Sequence, residues 1–225
     1  MASGVLVIDK PRDWTSHDVV ARIRRLLHER RVGHAGTLDP MATGVLPVFV
    51  GRATRAISML EDSDKEYIAG LQLGVITDTQ DTTGQVLEQR PVQAGRREVE
   101  EALGAFRGEI LQIPPMYSAL KRDGKKLYEL ARAGQEVERD PRPVTIHALE
   151  LLDHAPEGFP EGPERWFLRV ACSKGTYVRT LCHDIGQVLG CGGTMCALRR
   201  TRACGFTLPD AITLEQLAQA AEEGR

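Results

Sequence analysis

The sequence predicts an α+β fold, and three stretches carry that expectation. Residues 44–50 (GVLPVFV) are an unbroken apolar run closed by Gly51, which reads as a buried strand. Residues 65–73 alternate, so that Tyr67, Ala69, Leu71 and Leu73 share one face of a second strand. From Thr15 or Ser16, either of which can cap a helix, to about Glu29, the residues Val19, Val20, Ile23, Leu26 and Leu27 recur at helical spacing. Arg22, Arg24 and Arg25 fall on the opposite, solvated face of that helix.

The other elements fall around these. Residues 5–8 (VLVI) form a short first strand, and residues 53–60 read as a short helix. Residues 77–84 (TDTQDTTG) make a polar turn whose two acids suit a hydrogen-bonded loop better than a metal site. Val99, Leu103 and Phe106 mark an amphipathic helix from about Arg96, ended by Gly108. Residues 113–121 read as strand-like after Pro114 and Pro115, Asp123-Gly124 as a hairpin or strand-to-helix turn, and residues 125–132 as a helix closed by Gly134. Residues 144–152 and 166–172 are further strands, the second with Trp166, Leu168, Val170 and Cys172 on one face, and a Pro/Gly/acid surface loop lies between them. A helix opens in residues 173–180 and ends at Gly190, and residues 212–221 make the last one.

A chain of 225 residues is one large domain, or a domain with a small appendage, and buries enough surface to fold without staples. The five cysteines all lie between residues 172 and 204, with no C-x-x-C pair, so neither a zinc ribbon nor a redox dithiol is indicated and reduced thiols are expected. Residues 1–11 carry no basic, then apolar, leader pattern, and no run approaches a membrane span; a cytoplasmic protein with no membrane partner is expected. The net charge of −2 argues against a nucleic-acid binder, but the charges are segregated. Residues 1–60 hold nine Lys/Arg against five Asp/Glu, while residues 61–112 hold five against eleven, as a localised RNA-facing surface requires.

The densest chemical signal is residues 31–55 (RVGHAGTLDPMATGVLPVFVGRATR). Gly33 and Gly36 put His34 on a Gly-flanked loop and permit a tight turn or a close approach, and Pro40 holds Asp39 out of helical backbone. A lone acid on a Gly-rich loop beside a core strand suits a catalytic group, although an Asx turn closing a loop explains the same letters. Farther on, Lys121, Arg122, Lys125, Lys126 and Arg132 interleave with Tyr117 and Tyr128, a combination that suits RNA phosphates and unstacked bases. There is no Walker P-loop, no dinucleotide fingerprint and no H-E-x-x-H motif, and the bare Gly33-x-x-Gly36 spacing is too short a signal for a KH-type clamp.

The segment from Gly33 to Pro40 (GHAGTLDP), with Ala42, Gly44, Leu46 and Pro47 after it, closely resembles the catalytic motif of TruB-type tRNA pseudouridine-55 synthases. Further matches follow in order over roughly residues 4–217: Lys10-Pro11 with Thr15-Ser16, Lys65-x-Tyr67, Pro114-Pro115-x-Tyr117-Ser118-Ala119-x-Lys121, Gly175-Thr176-Tyr177-x-Arg179, and Leu198 before Arg199-Arg200. Ala35 replaces a frequent Thr or Ser, and Asp13 stands where members often have Gly, so the turn there is expected to differ.

The resemblance implies a mixed, largely antiparallel sheet with helices and loops on its faces and an active site in a central cleft. It implies conversion of uridine to pseudouridine in the T-stem loop of tRNA, by base flipping and Asp-dependent cleavage of the glycosidic bond. Asp39 would be the essential carboxylate, Arg179 its cationic neighbour, and Tyr67 the ring that stacks on the target base. Leu198 would wall the uracil pocket, and His34 would stack in the space the base vacates. Lys10, Lys121, Lys125, Lys126 and Tyr177 would complete the RNA contacts. Neither cofactor nor metal is implied, and a monomer is expected. Members commonly carry a further PUA-type RNA-binding domain; here residues 1–225 read as the catalytic domain alone. The rival of another class is a non-catalytic RNA-folding chaperone that uses the same surface.

Overall fold

The computed structural model describes residues 3–60, 63–122 and 124–224. Strand β1 (Gly4–Lys10) leads to helix α1 (Ser16–Leu26), then β2 (Val32–His34), β3 (Thr43–Val50), a 3-10 turn (Gly51–Ala56) and α2 (Ile57–Leu60). There follow β4 (Lys65–Leu73), β5 (Val75–Thr77), β6 (Val86–Gln89), α3 (Arg96–Leu103) with a 3-10 turn at Gly104–Phe106, β7 (Gly108–Gln112), β8 (Lys121–Arg122) and β9 (Lys125–Lys126). The remainder is α4 (Leu127–Arg132), β10 (Arg142–Leu151), β11 (Arg165–Cys172), α5 (Val178–Val188), β12 (Gly193–Ala203), β13 (Phe206–Thr207) and α6 (Leu214–Glu222). The fold is α+β with mostly antiparallel pairing, as expected. No helix among the described residues is long and apolar enough to cross a membrane.

The chain divides into two compact units, residues 1–68 with 197–225 and residues 69–196. In the first, β1 runs antiparallel to β3 over seven residue pairs, from Gly4↔Val50 to Lys10↔Gly44. The other edge of β3 has two partners: β2 pairs antiparallel at Val48–Val50, and β12 pairs parallel at Thr43 and Gly44. The parallel contact makes the sheet mixed. Between the two partners the edge is open, and the loop of residues 35–42 emerges there. Pro47 falls in that opening. Its carbonyl accepts from Ala35 N (3.0 Å), and since it has no N–H, the opening contains no orphan donor at that residue.

Thr15, rather than Ser16, caps α1. Its hydroxyl accepts from Asp18 N (3.0 Å) while its own N–H donates to the Asp18 carboxylate (2.9 Å), the reciprocal arrangement of a capping box. Val19, Val20 and Ile23 are buried from that helix, and α1 stops at Leu26 instead of near Glu29. His28 takes φ +48°, which no helix continues through.

In the second unit β10 pairs antiparallel with both β11 and β7, and β5–β6 and β8–β9 form separate hairpins. The strand expected over residues 113–121 does not form. Pairing of β7 ends at Gln112, because Pro114 and Pro115 remove two successive ladder donors, and the chain then bends, with Ser118 N donating to Met116 O (2.9 Å). Asp123 lies outside the described residues, but Gly124 does sit in a hairpin turn.

Helix α5 packs against the chain that enters β12. A methyl group at Gly186 would stand 2.1 Å from Gly193 N, inside backbone that has nowhere to go. Gly186→Ala should therefore cost about 3 kcal/mol or more, a fall of roughly 6–12 °C in thermal midpoint for a chain of this size. Gly104→Ala, which meets nothing within 4 Å, is the control and should be neutral or slightly stabilising.

Candidate active site

The loop of residues 35–42 carries Asp39, and each of its five successive carbonyls from Gly36 to Pro40 accepts a hydrogen bond. Arg200, fully buried on β12, donates from Nη2 to Gly36 O (3.0 Å) and from Nη1 to Thr37 O (3.4 Å), while its Nε reaches Val45 O on β3 (2.8 Å). Ser16 Oγ donates to Leu38 O (3.3 Å) and accepts from Leu38 N (3.0 Å). Asp39 O accepts from Ala42 N (3.0 Å). Pro40 O accepts from Asp13 N (2.8 Å) and from Lys10 Nζ (3.2 Å). Leu38, Met41 and Ala42 are buried around the acid, and Asp39 itself is half-buried, so the packing of its neighbours aims it.

Gly44 is what lets Arg200 approach. Its φ is +101°, and a Cβ there would lie 2.2 Å from Arg200 O. Asp13, expected to alter its turn where family members often have Gly, takes φ +64° instead. Aspartate enters that left-handed region at tolerable cost, so the turn keeps a glycine-like shape.

Lys10 corrects one expectation. It is fully buried, and Nζ is spent on the carbonyls of Pro11 (2.9 Å), Trp14 (2.6 Å) and Pro40 (3.2 Å). It cannot meet RNA and serves instead to hold the loop. Burial lowers the ammonium from 10.5 to about 8; the charges of Asp39 and then Asp13 oppose the fall, and Arg200 adds to it.

His34 corrects another. It ends strand β2 rather than lying on a loop, paired with Val48. Its Nδ1 is buried and finds no hydrogen-bond partner among the described residues, so the ring is not held through that atom. Burial, reinforced by His17 and Arg200, pulls its pKa to about 4, and the ring is neutral at physiological pH. Tyr67 on β4 and Leu198 on β12 belong to the same unit and are both largely buried, at 7% and 8% exposure. Core packing accounts for most of each side chain.

In the second unit Arg179 opens α5 and is buried. Its guanidinium donates to Thr79 O (3.0 Å) and Tyr117 O (2.9 Å) and lies 3.8 Å from the Asp81 carboxylate. Asp81 is the residue that the sequence did not single out. Its Oδ1 collects Thr79 Oγ1, Thr83 N and Thr83 Oγ1, so the polar turn exists to aim an acid at Arg179. The available signal was an acid flanked by three threonines. Tyr177 sits just before α5 with its backbone clamped by the buried Gln112 amide, which accepts from Tyr177 N (3.0 Å) and donates to Tyr177 O (3.2 Å).

The lysines at 121, 125 and 126 are brought together with Arg122. The β8–β9 ladder sets Lys121 opposite Lys126 and Arg122 opposite Lys125. Like charges face to face in a ladder destabilise it, and this arrangement concentrates four cations on one short hairpin. Lys126 and Arg132 each lie 5.3 Å from the Tyr128 ring, which steadies two of the cations.

Comparison with known proteins agrees with these motifs. The model for the TruB family pseudouridylate synthase N-terminal domain matches residues 24–178, and that for the tRNA pseudouridylate synthase B C-terminal domain matches residues 179–224. The chain belongs to the TruB family. The tRNA pseudouridine synthase B of Stutzerimonas stutzeri is 53% identical over 99% of this chain and 70% of its own length; that of Ectopseudomonas mendocina is 54% identical over 98% and 70%. Among solved structures, a Cbf5-Nop10-Gar1 complex contains a chain 34% identical with TM-score 0.75, and an H/ACA RNP bound to a substrate RNA containing 2′-deoxyuridine contains one 31% identical with TM-score 0.72. This chain spans 56% of the length of each of those two.

Among TruB-like sites, the buried lysine here gives a direct test. The folded protein releases the Lys10 proton near pH 8 and the unfolded chain near 10.5, so between those values the unfolded state binds more protons and stability from this group rises with pH. Urea midpoints measured from about pH 7.5 to 10 should show wild type gaining on Lys10→Met across that window. A constant gap would show that Lys10 is not a buried ammonium.

Proposed function

We propose that this chain isomerises uridine to pseudouridine in the T-stem loop of tRNA, at position 55. The observation that carries the proposal is Asp39, half-buried on a loop whose five successive carbonyls from Gly36 to Pro40 are all tied down, within a motif set that belongs to pseudouridine synthases. Rigid placement of one carboxylate is what such a reaction asks of a protein.

The reaction breaks the bond between the ribose anomeric carbon and N1 of uracil and forms one to C5. The hydrogen on C5 is lost and N1 gains one. Nothing is oxidised and no group is imported, so the balance requires no cofactor. Asp39 supplies the carboxylate at the anomeric centre. By family resemblance Tyr67 and Leu198 receive the base. The base must first leave its stack, at a cost of a few kcal/mol. Backbone contacts to RNA phosphates from Lys121, Arg122, Lys125 and Lys126 offset that cost. The solved relative bound to a substrate RNA containing 2′-deoxyuridine supports an RNA substrate for this architecture.

Release of tritium from C5-labelled uridine in a T-loop transcript measures turnover directly. Asp39→Asn keeps size and shape, so it should bind the RNA with near-wild-type affinity and release no tritium. Wild type that binds the transcript well and releases none would favour the chaperone reading. Replacing Lys125 and Lys126 together with Ala should weaken binding and flatten the slope of log affinity against log salt by about one unit per lost phosphate contact. An unchanged slope would return both lysines to ordinary solvated surface.

A further inference from the structure

We propose that His17 is a positioning residue, which sets the ring plane of His34 for stacking within the RNA. The inference rests on the pseudouridine reading and adds to it a residue to which no motif assigns a role. His17 is the second residue of α1, and the start of that helix is pinned twice. The Thr15–Asp18 capping box fixes the first turn, and Ser16 Oγ holds both the N–H and the carbonyl of Leu38, next to Asp39. The position of His17 relative to the Asp39 loop is thus set on both sides of it.

From there the exposed His17 ring meets His34 at 5.7 Å between centroids with planes at 80°, an edge-to-face contact. His34 needs such a neighbour. Its backbone is fixed by pairing with Val48, but Nδ1 finds no partner among the described residues, so no hydrogen bond through that atom sets the ring torsion. Packing must do so, and His17 is the aromatic that supplies it. A neutral, flat ring held at a set angle at the rim of the Asp39 loop is suited to stacking in the gap that a flipped base leaves.

The test is a double-mutant cycle in affinity for a T-loop transcript. His17→Ala should weaken binding roughly threefold to tenfold, the size of an aromatic pair, and raise KM more than it lowers kcat. His17→Phe, which keeps the ring, should restore affinity. In a His34→Ala background, His17→Ala should have no further effect, and neither substitution should move the thermal midpoint. Additive losses, a changed salt slope or no rescue by Phe would show that His17 meets RNA on its own account and overturn the proposal. So would an unchanged affinity, or a loss that follows destabilisation. Wild-type tritium release reads the pseudouridine function separately, so failure of that reading is distinguishable from failure of this one.

Discussion

Two buried cations that answer to carbonyl oxygens govern this molecule. Arg200 and Lys10 come from different strands, and each spends its donors on backbone oxygen. Burying either without partners would cost several kcal/mol; with three acceptors apiece they become rivets. The opening between β2 and β12 makes room for Arg200, while Lys10 reaches the same loop from the end of β1. A guanidinium stands where a strand would otherwise pair, and Pro47 lacks the donor that such a strand would have had to satisfy. The same arrangement places two buried positive charges beside the loop that carries Asp39.

The second unit solves a similar problem by a different route. Arg179 is held by two carbonyls from separate segments and by a carboxylate that is itself held by threonines. The network is satisfied on every side that is described, which keeps the charge from being a liability. At the β8–β9 hairpin the logic reverses. There four cations oppose one another across a two-residue ladder, and Tyr128 lies against one of them, Lys126. One cluster is internally balanced; the other gathers like charge.

Much of this was legible in the sequence, because the signals were local. The apolar run of β3, the alternation of β4 and the cap of α1 each follow from residues within a few positions of one another. Asp39 was legible because Gly36 and Pro40 bracket it. Lys10 was misread, since nothing near it in sequence announces that Trp14 O and Pro40 O converge on its tip. Arg200 was legible only as a letter in a motif, because its partner Gly36 lies 164 residues away. The hydrogen-bonded turn around Asp81 was legible from its threonines, but not its approach to Arg179. His34 was assigned to a loop because two flanking glycines outweighed a strand only three residues long. The region after β7 failed differently. Its two prolines were noticed, but their loss of ladder donors should have excluded a strand.

Because Arg200 and Lys10 grip main-chain oxygen, they are indifferent to the side chains on the residues they hold. At exposed positions the shape of the loop is insulated from its spelling. Thr37 is exposed and can change without loosening the grip on its carbonyl, whereas Ala35, which donates its N–H to Pro47 O, is also buried and constrained in size. The grips have no such freedom, for one change at Arg200 releases Gly36, Thr37 and Val45 together. The loop around Asp39 therefore depends on distant strands as much as on its own residues: its exposed positions tolerate change, while Arg200, Lys10 and the buried Leu38, Met41 and Ala42 do not.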